Sequence, residues 1–202
     1  MSGTALFTFL QDAAFYRSFH VAAADLMGTG NGRSWLDVGT GPGLLARLAA
    51  ERGYRARGID RSEKMIAAAE RLAGKHAVRA SFAATDIEAE LASGRRYDVV
   101  SASSLAVVTT DPARTLVQLK ALTAPGGRLL VIEASQKMTR WRAVKMLLTL
   151  RLGKRGYMLL LWAMARSGRA LDTLLLVRTA LRPARHSLLG GMVNAWVMEV
   201  TP

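Results

Sequence analysis

The chain contains no cysteine, which excludes disulfides, a thiolate nucleophile and thiolate metal sites. Its three histidines, His20, His76 and His186, stand far apart, so no metal site is expected. The first twenty residues, MSGTALFTFLQDAAFYRSFH, lack a basic region followed by an uninterrupted apolar stretch. No secretory signal is read there, and the cytoplasm is the expected compartment. Acid is nearly missing from one long segment: between Arg140 and Arg185 a single Asp172 faces eleven basic residues. That segment carries +10 of the chain's net charge of +13 and leaves an ordinary mixed-charge remainder. It also lacks a long apolar run. Its longest uncharged stretch, Gly156 to Ala165, is ten residues, whereas a membrane-spanning helix takes about 18 or more.

What is present suffices for one domain. The 202 residues are half apolar and 21% charged, a composition that supports a single sizeable core. The pattern divides it into a leading helix over 1–30, a core over 31–137, a basic but apolar helical cap over 138–185 and a closing strand over 186–202. Within the core, short apolar runs alternate with helical periodicity, which predicts a mostly parallel sheet with helices on both faces, a Rossmann-like α/β fold. SWLDVG reads as the first strand and LLARLAAERG as a helix with Leu44, Leu45, Leu48 and Ala49 on one face. YRARGID is the second strand; SEKMIAAAERLAG is a helix capped by Ser62 and ending at Gly74. AVRASFAATD, YDVVSASS and GGRLLVIEA are the next three strands, the last preceded by the helix DPARTLVQLKALT. Phe7, Leu10 and Ala14 share a face of a helix over 4–27, and three cap helices are expected near 140–152, 156–167 and 170–182. GMVNAWVMEV reads as a strand closing the sheet edge.

LDVGTGPG, residues 36–43, places Gly39, Gly41 and Gly43 between a strand and a helix. So tight a turn needs residues without Cβ, and it lets a ligand approach backbone amides at the positive end of the next helix. The dinucleotide version asks for G-x-G-x-x-G, but residue 44 is Leu, which argues against a nicotinamide cofactor. With Asp37 ahead of it, the run resembles motif I of the class I S-adenosylmethionine-dependent methyltransferases, and the resemblance extends over most of the chain. It implies that S-adenosylmethionine is the cofactor and S-adenosylhomocysteine the product. Asp60, 21 residues beyond Gly39, then corresponds to the acid that binds the ribose hydroxyls, with Arg61 beside it. Asp86 and Ile87 correspond to the adenine site. The resemblance also puts Thr40 and Ser101 near the cofactor and Met65 on the far side of the adenine, although a Met at helical spacing, as Met65 is, reads more readily as core. Asp37 is expected to hold the loop's backbone and the cofactor's ammonium rather than act as a base. The similarity is nearest to quinone-biosynthesis and small-molecule or lipid methyltransferases, which carry a leading helix and a closing strand like Leu188 to Gly191.

Methyl transfer from a sulfonium is an in-line displacement that depends mainly on holding nucleophile and methyl in contact. A base is needed only when the nucleophile arrives protonated. In many relatives a His follows the fourth strand; here Ala106, Val107 and Val108 stand there. The candidates left near the substrate face are Glu133, Ser101, Ser103, Tyr16 and His20. For residues 140–185 the composition leaves several readings: a cap lining a lipophilic pocket with Leu147, Leu148, Leu159, Leu160, Trp162, Met164 and Leu174; helices lying on an anionic membrane surface; a nucleic-acid contact; or a cap that merely packs. The expectation is methyl transfer to a lipophilic small molecule or lipid. The alternatives are an RNA or DNA methyltransferase, or a protein that binds S-adenosylmethionine without chemistry.

Overall fold

The computed structural model describes residues 9–104, 109–149, 156–166 and 183–201. The helix expected near 170–182, with Leu174, lies outside the described residues, as do Phe7 and Ala106 to Val108. Seven strands form one sheet: β1 (Ser34–Val38), β2 (Arg55–Asp60), β3 (Ala80–Ala84), β4 (Tyr97–Ser103), β5 (Thr123–Ala134), β6 (Ala184–Leu188) and β7 (Val193–Glu199). Their order is β3-β2-β1-β4-β5-β7-β6. The first five are parallel, whereas β7 runs antiparallel between β5 and β6. The sheet order reverses between β1 and β4, and ligands bind open α/β sheets at the carboxyl ends of strands flanking such a switch point.

The helices are α1 (Ala14–Asp25), α2 (Leu44–Glu51), α3 (Glu63–Lys75), α4 (Ile87–Ala92), α5 (Pro112–Leu122), α6 (Arg140–Thr149) and α7 (Tyr157–Arg166). On one face of the sheet α1, α2 and α7 bury Phe15, Phe19, Leu45, Leu48 and Leu159 against Trp35, Val99, Leu130 and Ile132. On the other, α5 contributes Leu116, Leu119 and Leu122, packed with Leu36, Val100, Leu129 and Val131. The inner strands are apolar on both faces because helices cover both, as in parallel sheets generally.

Several expectations are corrected. The leading helix is broken: Phe9 to Gln11 are helical, but Ala13 is extended (φ −73°, ψ 129°) and α1 begins only at Ala14. Helix α3 runs past Gly74 to Lys75, and the left-handed residue beyond it is Ala77 (φ 54°). Between β3 and β4 stands α4, which the apolar pattern did not announce; Asp86 caps it, accepting from Ala89 N–H at 2.8 Å. Leu189–Gly191 is a single 3-10 turn rather than a strand. Strand β7 fills an interior position, and β6 is the edge.

Two glycines are set apart by their surroundings. A Cβ on Gly30 would stand 2.3 Å from Tyr54 N and 2.5 Å from Gly53 C, backbone that cannot yield, whereas one on Gly74 meets nothing within 4 Å. Gly30→Ala should therefore cost at least about 2 kcal/mol. Gly74→Ala, in a helix and without positive φ, should gain up to about 1 kcal/mol. Urea denaturation of the two variants checks both signs.

Candidate functional site

At the carboxyl ends of β1, β2 and β4 lies a cleft of about 610 Å3. Its floor is the loop Gly39 to Pro42. Gly39 and Gly41 have φ of 67° and 52°, and no heavy atom of the described residues lies within 4 Å of where a Cβ would stand on either. Only glycine adopts this backbone without strain, and the missing side chains leave the loop open to the cleft. Gly43 is different. Its φ is also positive, at 78°, but a Cβ there would meet Phe82 at 2.7 Å and Ala69 at 2.9 Å. It allows the α2 start to pack against β3 and α3, and it does not line the cleft. The N-terminus of α2 has no side-chain cap, and its first residues, Leu44 and Leu45, reach the cleft.

Asp37 is buried beneath the loop. One carboxylate oxygen accepts from Thr40 Oγ1 at 2.7 Å and the other from Ser101 Oγ at 2.8 Å; Ser101 in turn accepts from Trp35 Nε1 at 2.7 Å. Asp37 and Ser101 are register partners across β1 and β4. Neither lines the cleft; both hold the loop from beneath it. Burial lifts Asp37 to about 6, the hydrogen bonds from Thr40 and Ser101 restraining the rise and the charge of Asp60 adding to it. Thr40 does line the cleft, and its N–H donates to Ile59 C=O at 2.9 Å.

Asp60, at the end of β2, accepts from Gly41 N–H at 3.0 Å with one oxygen and from Ser62 N–H at 2.9 Å with the other. A carboxylate oxygen carries two lone pairs, so each can still accept from a ligand hydroxyl. Arg61, Met65, Asp86 and Ile87 all line the same cleft. Met65 is thus wall, not core; the buried stripe of α3 is Ile66, Ala68, Ala69, Leu72 and Ala73. Asp86 serves as both α4 cap and cleft residue. The open Gly39–Gly41 backbone, the carboxylate of Asp60 and the apolar Met65 and Ile87 suit the methionine, ribose and adenine parts of S-adenosylmethionine respectively.

The opposite wall comes from α1 and α7. Tyr16, His20 and Arg166 line it. His20 is buried, with Nδ1 2.9 Å from Tyr16 C=O and Nε2 3.4 Å from Ser103 Oγ. A carbonyl can only accept, so Nδ1 carries the proton and Nε2 presents a lone pair. Burial lowers His20 to about 4 against the pull of that carbonyl bond, keeping the ring neutral above that pH. Burial also pushes Tyr16 up to about 12, opposed by the Arg166 charge; its phenol stays protonated. Ser103 lines the cleft, but Glu133 does not and is 2% exposed.

Sequence reasoning missed Gln11, Arg47, Arg114 and Arg166. Arg47 is buried on the apolar face of α2 and donates to Pro42 C=O at 2.6 Å and to Gln11 Oε1 at 3.3 Å, tying the leading segment to the glycine loop. An arginine between Leu44, Leu45 and Leu48 was the available signal. Gly58 was also missed: a Cβ there would lie 2.7 Å from Thr40 Oγ1. The expected lipophilic lining does not form among the described residues. Leu148 and Met164 point outward, 83% and 59% exposed, while Leu159 and Trp162 are core. Neither these four nor Leu147 and Leu160 line the cleft. The inward stripe of α7 is used up in packing on α1, Trp162 stacking on Phe19 with ring centres 5.4 Å apart.

Asp37 and His20 act oppositely on stability in mild acid. Asp37 holds its proton more tightly folded than unfolded, so its contribution falls as pH rises from the ordinary 3.8 to about 6. His20 holds its proton less tightly when folded, so its contribution rises from about pH 4 to 6.5. Relative to wild type, Asp37→Asn should gain up to about 3 kcal/mol on going from pH 4 to pH 7. His20→Gln should gain a similar amount in the reverse direction. Denaturation at a series of pH values measures both differences; parallel curves for Asp37→Asn and wild type would refute the assignment.

Residues 11–173 match the sequence model of a methyltransferase domain. Among curated relatives, the ubiquinone biosynthesis O-methyltransferase of Coxiella burnetii is 34% identical over 98 residues, 48% of this chain and 42% of that one. Its namesake in Rhodopseudomonas palustris is 32% identical over 124 residues, 61% of this chain and 48% of the relative. The chain spans less than half the length of these relatives. Solved structures share the fold. An O-methyltransferase family protein from Burkholderia thailandensis superposes with a TM-score of 0.67 at 15% identity, over 92% of this chain and 56% of that one. The N-methyltransferase NodS from Bradyrhizobium japonicum does so with 0.64 at 18%, over 96% and 100%. With most of its length matched by that sequence model and its fold shared with these structures, the chain belongs to the methyltransferase domain family.

Proposed function

We propose that the protein is an S-adenosylmethionine-dependent methyltransferase acting on a lipophilic small molecule that presents a protonated acceptor such as a hydroxyl. The observation that carries this reading is the open Gly39–Gly41 backbone facing the Asp60 carboxylate across one cleft at the sheet's switch point. Bound there, S-adenosylmethionine would supply a methyl on a positively charged sulfur, with a neutral thioether as its leaving group. Asp60 would hold the ribose hydroxyls; Asp86 and Ile87 would hold the adenine. Asp37 acts at one remove, fixing Thr40 and through it the loop.

The acceptor's proton needs a destination. His20 Nε2 is the uncharged basic nitrogen on the cleft wall, and Ser103 Oγ beside it marks where a hydroxyl donates to it. Tyr16, protonated to about pH 12, orients this His through its carbonyl and is not a base. Support for an apolar acceptor comes from the ubiquinone-biosynthesis relatives.

Isothermal titration with S-adenosylmethionine should show binding that weakens about 10- to 100-fold in Asp60→Ala, the loss of charge-assisted hydrogen bonds. Labelled methyl should appear in a lipid extract; label in RNA, or tight cofactor binding with no transfer, would sink the substrate reading. His20→Ala should bind cofactor as wild type does yet transfer methyl about 10²- to 10⁴-fold more slowly at neutral pH. That deficit should narrow as rising pH ionises the acceptor without help, a pattern that a merely structural defect does not produce.

A further inference from the structure

Among the described residues, the outer surface of the cap carries large exposed apolar side chains. On α6, Trp141, Lys145 and Leu148 follow one another at helical spacing, and on α7 Tyr157, Leu161 and Met164 repeat that spacing. Trp141 is 73% exposed, and the other apolar members of both stripes are more than half exposed. Trp141 and Met164 border the same shallow depression, so the two stripes meet in one face. Exposed apolar residues are ordinary when scattered, but a contiguous patch of them marks an interaction surface.

Its charge decides the partner. From Ala134 to Leu171 the chain has no acid at all. Within the face Arg140 lies over the Trp141 ring at 5.9 Å, and Arg142 and Lys145 are exposed beside it. Two copies of this face would bring like charges together, which opposes self-association through it. Nucleic acid would use the cations but leave Leu148, Leu161 and Met164 against water. A bilayer of anionic phospholipid satisfies both halves: apolar side chains enter the acyl boundary while basic side chains reach the head groups. No helix among the described residues is long and apolar enough to cross a membrane, so the contact lies in the interface plane. We infer that the α6–α7 face docks the protein on an anionic membrane surface, Trp141 and Leu148 inserting and Arg140, Arg142 and Lys145 binding lipid phosphates.

Sedimentation of the full chain with phosphatidylcholine vesicles, with and without about one-third phosphatidylglycerol, tests this. Binding is expected to the anionic vesicles, to weaken as salt rises and to drop at least about tenfold in Trp141→Ser/Leu148→Ser. Both residues are exposed, so the melting temperature and S-adenosylmethionine binding should not move. Arg140→Gln/Arg142→Gln should lose the preference for anionic vesicles. No sedimentation, equal binding to both vesicle types, or wild-type binding by the serine double variant would each overturn the inference. So would a complex with RNA that outcompetes the vesicles. Intact cofactor binding in the same samples keeps such a failure separate from failure of the methyltransferase reading.

Discussion

A buried relay of hydrogen bonds, from Trp35 Nε1 to Ser101 Oγ to Asp37 and back from Thr40 Oγ1, ties the central strand pair to the glycine loop. Asp37 and Ser101 are 64 residues apart in sequence and opposite one another in the sheet, so the relay exists only once β1 and β4 have paired. Taking a carboxylate out of water is costly, and two hydroxyl donors offset the cost without erasing it. In return the loop's one side chain with hydrogen-bonding reach is held at a fixed point. Thr40 also donates through its backbone to Ile59 in β2, so the loop is located against three strands at once. Gly58 takes part by having no side chain where Thr40 comes close.

The ligand-facing half of this arrangement was legible in the chain. Glycines at a strand–helix turn leave backbone open to a ligand, and acids at strand ends fall where a parallel sheet brings them together; Gly39, Gly41, Asp60 and Asp86 do line one cleft. The supporting half was not. Gly58 and Phe82 look like ordinary strand residues, and the need for them arises from a close approach between elements remote in sequence. Asp37 and Ser101 were recognised as belonging to the site, but their withdrawal from its surface depends on side-chain direction across a strand pair. Arg47 was not legible for the opposite reason: a cation on an apolar stripe ordinarily reaches solvent at its edge, yet here it fastens Gln11 to Pro42.

Facing was the main thing the cap's composition concealed. A helix rich in Leu, Met and Arg can turn its apolar side inward or outward, and only the partner decides. Phe15, Tyr16 and Phe19 of α1 supply that partner for α7, taking Trp162 into an aromatic cluster. Helix α7 therefore has two unlike sides, one forming cleft wall through Arg166 and the other apolar and outward. His20 belongs to the same cluster, its ring 4.2 Å from that of Phe19. Tyr16 and Phe19, which flank that ring, also receive Trp162, so the helix that carries part of the outer face packs directly on the neighbours of His20.

Strand β7 sits inside the sheet, with Ala195, Trp196 and Met198 buried, although it follows β5 only after the 58 residues between Ala134 and Val193. A ribosome adding about 5–20 residues per second needs roughly 3 to 12 seconds to make that stretch. Until β7 is made, β5 has no partner on that side, and a parallel half already formed would present it as a bare edge, open to any other strand. A chaperone that shields a sheet margin during synthesis would cover that edge until its partner strand arrives.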